Sequence, residues 1–152
     1  MRAVVQRVLS SSVKVNGETV GEVGKGYMLL LGVCEGDTQK EAELLASKVA
    51  KLRVFEDENE KMNLSALDVD GEILCVSQFT LCADVKKGNR PSFTSSAAPD
   101  IANNLYEYFC ECLKKEGIKK VEKGIFGADM KVSLINDGPV TIILDTDIWS
   151  KK

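Results

Sequence analysis

Residues 130–144, MKVSLINDGPVTIIL, carry the pattern that decides the fold. Apolar side chains alternate with polar ones on both sides of Asn136–Pro139, which is typical of half-buried strands. Asn, Asp, Gly and Pro are the residue types that dominate turns. The stretch therefore predicts strands at 130–136 and 140–146 with a turn between them.

The same alternation fills the first part of the chain. Asn16-Gly17 lies between two alternating segments and is a strong signal for a two-residue hairpin. Thr38 and Glu41 then form a capping box, behind which apolar residues recur at helical spacing. The predicted elements are strands at 2–9, 12–16, 19–23 and 27–34, followed by a helix at 38–54.

The rest of the chain predicts more strands and a second helix. Pro99 suits a first helical turn and Gly117 a C-terminal cap. The apolar stripe between them consists of Ile101, Leu105, Tyr108 or Phe109, and Cys112. Strands are predicted at 72–83 and 119–126. This order favours the α+β class, with a curved, largely antiparallel β-sheet, a barrel-like core and two main helices in a single domain over residues 1–152.

The composition excludes several kinds of active site. Apolar residues make up 44% and charged residues 28% of the 152 positions, and no apolar run is long enough to span a bilayer. The chain has no histidine. Ser-His and Cys-His nucleophilic sites and histidine-based metal sites are therefore excluded, and we expect neither a metal nor any other cofactor.

The cysteines indicate the compartment. The N-terminus lacks the pattern of a secretory signal, and the cysteines show no C-x-x-C spacing. We therefore expect a cytoplasmic protein with no membrane partner, in which all five cysteines are reduced thiols. They are Cys34, Cys75, Cys82, Cys110 and Cys112.

Positive charge is concentrated in two places, although the net charge is −3. Lys86, Lys87 and Arg90 follow Ser77–Leu81 and are candidates for contact with RNA phosphates. The second group favours a solvated helix end and the segment after it. Its members are Lys114, Lys115, Lys119, Lys120 and Lys123.

Two motifs remain, Ser77-Gln78-Phe79-Thr80-Leu81 and Asn136–Thr141. Taken alone, the first fits hydrogen-bonded strand residues and the second a turn. Together with Met1–Val8, Gly88–Phe93 and Phe126–Met130, however, they make the chain resemble the D-aminoacyl-tRNA deacylase family, also called D-tyrosyl-tRNA deacylases, along essentially its full length.

The resemblance implies a homodimer whose site is shared between subunits. It assigns substrate binding to Asn136, Gly138, Pro139 and Arg7. The Gly138 and Pro139 carbonyls, joined by a cis bond in that family, would accept hydrogen bonds from the α-ammonium of the D-aminoacyl-tRNA. An L side chain would then meet the Gly138-Pro139 backbone, a D side chain would point to solvent, and glycine would pass.

The catalytic residues implied by the resemblance are Ser77, Gln78, Phe79 and Thr80. A backbone N–H near Phe79 or Thr80 would stabilise the oxyanion, and the ribose 2′-OH of the tRNA would assist hydrolysis. Ser77 and Gln78 would position the adenosine end. The Thr80 hydroxyl is a rival candidate for the nucleophile.

Two other functions stay open at this point. The chain could be a non-enzymatic dimeric module that binds nucleic acid through its lysine groups. It could also be a metal-dependent hydrolase built on carboxylates, although their spacing matches no metal-binding loop. The carboxylates in question are Asp84, Asp129, Asp137, Asp145 and Asp147.

Overall fold

Strand β1 organises the sheet. The computed structural model describes residues 1–149, and β1 spans Arg2–Val15. One edge of β1 pairs antiparallel with β3 (Gly26–Gly32) and then with β2 (Glu18–Val23), while the other edge pairs with β8 (Met130–Asp145). The β1–β2 hairpin turns at Asn16-Gly17, where both φ angles are positive, as the sequence predicts.

The sheet continues from β3 through two parallel strands. β6 (Glu72–Ser77) pairs with β3, and β7 (Val121–Lys123) pairs with β6. A separate small hairpin joins β4 (Phe55–Glu56) to β5 (Met62–Leu64). The sheet curves into a nearly closed barrel, and the α+β prediction with a largely antiparallel, barrel-like core is confirmed.

Two main helices cover one face of the sheet. Helix α1 (Gln39–Lys51) begins at the predicted capping box of Thr38, and α2 (Pro99–Glu116) ends at Gly117, whose φ is 115°. Both helices pack into one core with the apolar face of β1, β3 and β6. A smaller apolar cluster fills the opposite, concave face. A short helix α3 (Thr146–Trp149) ends the described chain.

Several boundaries differ from the prediction. The segments 2–9 and 12–16 form one strand, because β8 runs along both of them and Ser11 Oγ donates to Ser133 O at 2.8 Å. Helix α1 stops at Lys51 rather than at 54, since Leu52 is already extended. β3 stops at Gly32, and β7 is only three residues long. Ile101 is half exposed, whereas Ala102 takes the buried position on α2.

The segment 78–83 is not a strand. After Ser77 the chain forms a 3-10 helix, Phe79–Cys82, which we call the signature helix. It lies directly on Gly32, where an added Cβ would come within 2.8 Å of Leu81 Cβ and 3.2 Å of Gln78 O. Position 32 must be glycine for this packing, because the helix occupies the space that a side chain there would fill.

The prediction of five reduced cysteines is wrong. Cys34 and Cys82 form a disulfide with a Cα–Cα distance of 5.9 Å, whereas Cys75, Cys110 and Cys112 are free and buried. The two partners are 48 residues apart, and only the packing of the signature helix against the end of β3 brings them together. Within residues 1–149 no helix is long and apolar enough to cross a membrane.

Candidate active site

Asp137–Val140 form a bulge on β8 opposite Arg7. Gln6 pairs with Thr141 and Val8 pairs with Asn136, so one residue of β1 faces four residues of β8. The predicted turn is therefore a bulge within a continuous strand, both halves of which pair with β1. We call these four residues the Gly-Pro bulge; the Gly138–Pro139 peptide bond is cis and Gly138 has φ 135°.

The Arg7 side chain binds the main chain of this bulge. Its side chain is buried, with 5% exposed, and donates from Nε to Asp137 O at 3.1 Å and from Nη1 to Val54 O at 2.6 Å. The Asp137 and Glu56 carboxylates lie 3.6 and 3.8 Å away. The guanidinium therefore ties the bulge to the segment before β4.

The polar residues at the ends of the bulge close it from the sides. Asn136 Oδ1 accepts from Val140 N at 3.0 Å, and Asn136 Nδ2 donates to Thr141 Oγ1 at 3.2 Å. Gly138 is required sterically, because an added Cβ would lie 2.8 Å from Val140 Cγ2 and 3.0 Å from Val140 N. The bulge is thus a braced piece of main chain rather than a loose turn.

The signature helix presents the other motif residues. Ser77 ends β6 opposite Leu31, and Gln78 Nε2 donates to Thr80 Oγ1. Phe79 is 54% exposed and makes an edge contact with Phe93, the ring centroids lying 5.1 Å apart. The amides of Phe79 and Thr80 begin the helix, and amides at that position have no acceptor within it.

Two residues that the sequence did not single out fix this helix. Arg2 donates from Nη1 to Leu81 O at 2.8 Å, and Ser96 Oγ donates to Phe79 O at 3.2 Å. Arg2 is itself held by Asp145 at 3.2 Å. No periodicity or spacing could have marked them, since their role depends on contacts between distant segments.

The two motifs lie apart within one chain. Arg2 touches the signature helix and Arg7 touches the Gly-Pro bulge, and their Cα atoms are about 17 Å apart along β1. Because the two arginines are an odd number of positions apart on a regular stretch of strand, they point to opposite faces of the sheet. The two motifs are therefore held by side chains on opposite faces of the sheet, at different positions along β1.

One member of the first basic group, Lys86, lines a cavity beside the signature helix. The segment between Asp84 and Ser92 carries all three members of the group, Lys86, Lys87 and Arg90, and all three are exposed. The main chains of Asp84 and Ser92 are hydrogen-bonded to each other. Arg2, Cys82, Asp84 and Lys86 line a cavity of about 430 Å³, together with Ala83, Val85 and Ser95. A larger cavity of about 530 Å³ lies between β1, β2 and β8 and contains none of the motif residues.

Four of the five lysines of the second basic group pair with acidic neighbours, and the fifth, Lys115, lies over the Tyr108 ring. Lys114 pairs with Glu111, Lys119 with Asp70, Lys120 with Glu72 and Lys123 with Glu107. These contacts agree with the prediction of a solvated face.

The acidic residues do not form a metal site. Within residues 1–149 no group of three or more Asp, Glu, His or Cys side chains is arranged to hold a metal ion. Asp145 pairs with Arg2, Asp137 with Arg7 and Asp129 with Lys131. Asp84 Oδ1 instead accepts from Lys86 N at 2.9 Å. Asp147 N donates to Asp145 Oδ1 at 3.0 Å.

Near the bulge, Tyr27 is the titratable group with a large shift. Burial raises the pKa of Tyr27 well above its ordinary value, and the Arg7 guanidinium offsets part of that rise. Among residues 1–149 the Tyr27 hydroxyl has no hydrogen-bond partner. It stays protonated at neutral pH and offers no general base.

Comparison with known proteins identifies the family. The family model described as D-Tyr-tRNA(Tyr) deacylase matches residues 4–145. The chain belongs to this family. The resemblance inferred from the two motifs is thereby confirmed, as is the expectation of an enzyme of the deacylase class.

Individual relatives cover nearly the whole chain. A D-aminoacyl-tRNA deacylase of Thermosipho melanesiensis is 56% identical over 146 residues, covering 96% of this chain and 97% of that protein. One from Sulfurihydrogenibium sp. is 58% identical and covers 96% and 98%.

Two solved structures share the fold. That of a c-Myc DNA Unwinding Element Binding Protein superposes with a TM-score of 0.90 at 48% identity, covering 95% of this chain and 98% of that one. A probable eukaryotic D-amino acid tRNA deacylase has a TM-score of 0.79 at 19% identity, covering 94% and 97%. At that identity the second match shows the shared fold alone.

Proposed function

We propose that this chain hydrolyses the ester bond of D-aminoacyl-tRNA in the cytoplasm, releasing the free D-amino acid and tRNA, and that it rejects L-aminoacyl esters. The observation that carries the proposal is the Gly-Pro bulge held by Arg7 in a chain of the deacylase family. A braced bulge keeps its carbonyls in fixed directions, and fixed acceptors suit an ammonium group.

The active site is completed by a second copy of the chain. The arginines that hold the Gly-Pro bulge and the signature helix point to opposite faces of the sheet in one chain. We infer that the bulge of one subunit reaches the helix of the other. Exposed apolar side chains flank the bulge on β8, namely Ile135 and Ile143, and Leu9 lies nearby on β1. Sedimentation at micromolar concentration tests this, and a species with the mass of one chain would contradict it.

The enzyme would distinguish D from L substrates by steric exclusion of the L side chain. With the α-ammonium bound to the Gly138 and Pro139 carbonyls and the ester fixed at the signature helix, the side chain has two possible directions. An L side chain would collide with the Gly-Pro bulge, whereas a D side chain would extend to solvent. This arrangement predicts little selectivity among D residues and permits hydrolysis of glycyl-tRNA.

Hydrolysis requires modest assistance, because the ester is already activated. The amide of Phe79 or Thr80 would bind the developing oxyanion, a contact that contributes about 3–4 kcal/mol. Fixing the ester and the attacking group contributes more, about 7–11 kcal/mol at most. The ribose 2′-OH would supply the chemistry that a chain without histidine lacks, with Ser77 and Gln78 positioning the terminal adenosine.

Thr80 is the weaker candidate for the nucleophile. Some threonine nucleophiles are activated by an N-terminal amine. Here the amine of Met1 is buried and donates to Asp37 Oδ1 at 2.8 Å and to Thr146 Oγ1 at 2.9 Å. The Thr80 hydroxyl itself accepts from Gln78. We therefore assign Thr80 to positioning.

The experiment compares the loss of D-tyrosyl-tRNA and L-tyrosyl-tRNA in the presence of the purified protein. Rapid loss of the D ester alone is expected, and equal rates or no loss would reject the proposal. Thr80→Ala should retain hydrolysis, while tRNA ending in 2′-deoxyadenosine should lose it. The reverse pattern would make Thr80 the nucleophile.

A second candidate function is non-enzymatic nucleic-acid binding. The solved structure with a TM-score of 0.90 is that of a protein named for binding a DNA unwinding element. In this chain Lys86, Lys87 and Arg90 are exposed and would contact phosphates. Salt-sensitive binding to duplex DNA that survives Gly138→Ala would favour this function. A deacylase instead predicts that Lys86→Ala weakens tRNA use and Gly138→Ala damages hydrolysis.

A further inference from the structure

The Cys34–Cys82 disulfide joins the signature helix to the sheet. Cys82 is the last residue of that helix, and Cys34 follows the end of β3. The main chain of Cys34 also forms a bridge with Ser96, whose hydroxyl donates to Phe79 O at 3.2 Å. Both ends of the helix are thus tied to the same small region.

We propose that Cys34 and Cys82 form a reversible thiol–disulfide exchange site for small anionic thiols, and that its redox state sets the rate of the deacylase reaction. The proposal about rate rests on the proposed function. The oxidised pair holds the amides of Phe79 and Thr80 in place, and reduction releases the helix. We call this pair the Cys34–Cys82 clamp.

The other cysteines do not compete for this chemistry. Cys75 and Cys110 are buried next to each other, and burial raises the pKa of Cys75 well above its ordinary value. Burial likewise raises the pKa of Cys112. A thiol kept protonated is a poor nucleophile, so thiol exchange in the folded protein centres on the clamp.

The burial of the two cysteines and the charge beside them determine which reductants can reach the clamp. Cys34 and Cys82 are only 7% and 1% exposed, which excludes the bulk of a protein reductase. Cys82 nevertheless lines the cavity of about 430 Å³, whose charged residues are Arg2, Lys86 and Asp84. Arg2 is paired with Asp145, so the excess of positive charge comes from Lys86 together with the exposed Lys87 and Arg90 on the adjoining segment. This excess favours a small thiol that carries negative charge.

The exchange balances in two steps. A thiolate from the cavity attacks the Cys82 sulfur, forms a mixed disulfide with it and expels Cys34 as a thiolate, which takes up a proton. A second thiolate attacks the outer sulfur of the mixed disulfide, so that the small molecule leaves as its own disulfide and Cys82 takes up a proton. The protein gains two electrons and two protons, and the two small thiols are oxidised.

Reduction must move the signature helix. Two sulfurs in non-bonded contact lie farther apart than two bonded sulfurs, and one of the two belongs to the last residue of the helix. The helix therefore shifts away from the end of β3. A misplacement of about 1 Å can lower a rate about 100-fold, and for partial release we expect a loss of about 3- to 10-fold.

The test equilibrates the full chain in buffers of graded reduced-to-oxidised dithiothreitol ratio. Thiols counted after unfolding should rise from three to five, since three cysteines are free in the oxidised chain. Hydrolysis of D-tyrosyl-tRNA should fall about 3- to 10-fold over the same range. Cys34→Ser cannot form the disulfide and should hydrolyse D-tyrosyl-tRNA at the lower rate at every dithiothreitol ratio. Cys112→Ser keeps the disulfide, and its hydrolysis rate should change with the ratio as that of the unmodified chain does.

Two further readouts separate the clamp from the proposed function. Amide hydrogen exchange of Phe79–Cys82 should accelerate on reduction, and this needs no substrate. If neither ester is hydrolysed in either redox state, the proposed function fails. Amide hydrogen exchange still tests whether reduction of the clamp releases the signature helix. Five thiols at every ratio, or equal exchange and equal rates in both states, would overturn the proposal.

The assigned reductant has its own test. At equal thiolate concentration, 2-mercaptoethanesulfonate should reduce the clamp faster than cysteamine, because Lys86, Lys87 and Arg90 give the mouth of the cavity more positive than negative charge. Faster reduction by the cationic thiol would refute entry through the Arg2 and Lys86 cavity.

Discussion

Replacing Arg7 by Ala removes a buried side chain that joins the Gly-Pro bulge to the segment before β4. Two main-chain carbonyls lose a charged donor, Val54 O at 2.6 Å and Asp137 O at 3.1 Å. Hydrogen bonds to charged groups contribute about 1.5–3 kcal/mol each, and the bond to Asp137 is only partly buried. The nearby carboxylates are well exposed, so those ion pairs add little.

The expected loss in free energy of unfolding is about 3 kcal/mol, which lowers Tm by about 6–12 °C in a chain of this size. Urea unfolding of Arg7→Ala measures it. Arg7→Lys should recover less than half of the loss, because an ammonium cannot make the forked contact. Arg53→Ala is the matched control, since exposed Arg53 makes one bond to Asn63 O at 2.9 Å and should change stability by less than about 0.5 kcal/mol.

The same variant tests the role of the bulge. In conditions where Arg7→Ala is still folded, hydrolysis of D-tyrosyl-tRNA should fall about 100-fold, because the unbraced carbonyls no longer fix the ammonium. Two results would refute this reasoning: a stability change as small as that of Arg53→Ala, or an unchanged rate per folded molecule.

Three further predictions concern stability. Tyr27→Phe removes a buried hydroxyl without a partner among residues 1–149 and should raise the free energy of unfolding by about 0.5–1 kcal/mol. Tyr106→Phe removes the shorter of two hydrogen bonds to the buried Cys75 carbonyl and should lower that free energy by about 1–2 kcal/mol. Urea titration compares the two variants. Gly138→Ala should be less stable than Gly127→Ala by at least about 1 kcal/mol, because both have positive φ but only the Cβ at position 138 meets other atoms; equal losses would contradict this. Main-chain and hydroxyl hydrogen bonds lower the pKa of Asp68 below its ordinary 3.8, so its contribution is full above that pH and is lost as pH falls through the folded value; the stability difference from Asp68→Asn should shrink below about pH 4 in unfolding curves.

Local signals in the sequence predicted what is locally determined. The Asn16-Gly17 turn, the capping box at Thr38 and the α2 bounds at Pro99 and Gly117 all follow from backbone and capping chemistry, and the structure has them. The fold class followed from the order of these elements.

What the sequence missed depends on distant partners. Asn136–Pro139 read as a turn because the pattern cannot show that one strand, β1, pairs with both flanking segments. The signature helix was predicted as strand because its contact with Gly32 joins segments far apart in sequence, which the local pattern cannot show. The Cys34–Cys82 disulfide and the Arg2 contact with Leu81 likewise join segments far apart in sequence.

The most direct test of chirality reading by the Gly-Pro bulge is a crystal structure with a non-hydrolysable 3′-amide analogue of D-tyrosyl-adenosine. The α-ammonium should lie about 2.7–3.2 Å from the Gly138 or Pro139 carbonyl, with the ester-equivalent carbonyl at the amide of Phe79 or Thr80. An ammonium bound elsewhere, with the bulge carbonyls facing solvent, would contradict the proposed mechanism of selection.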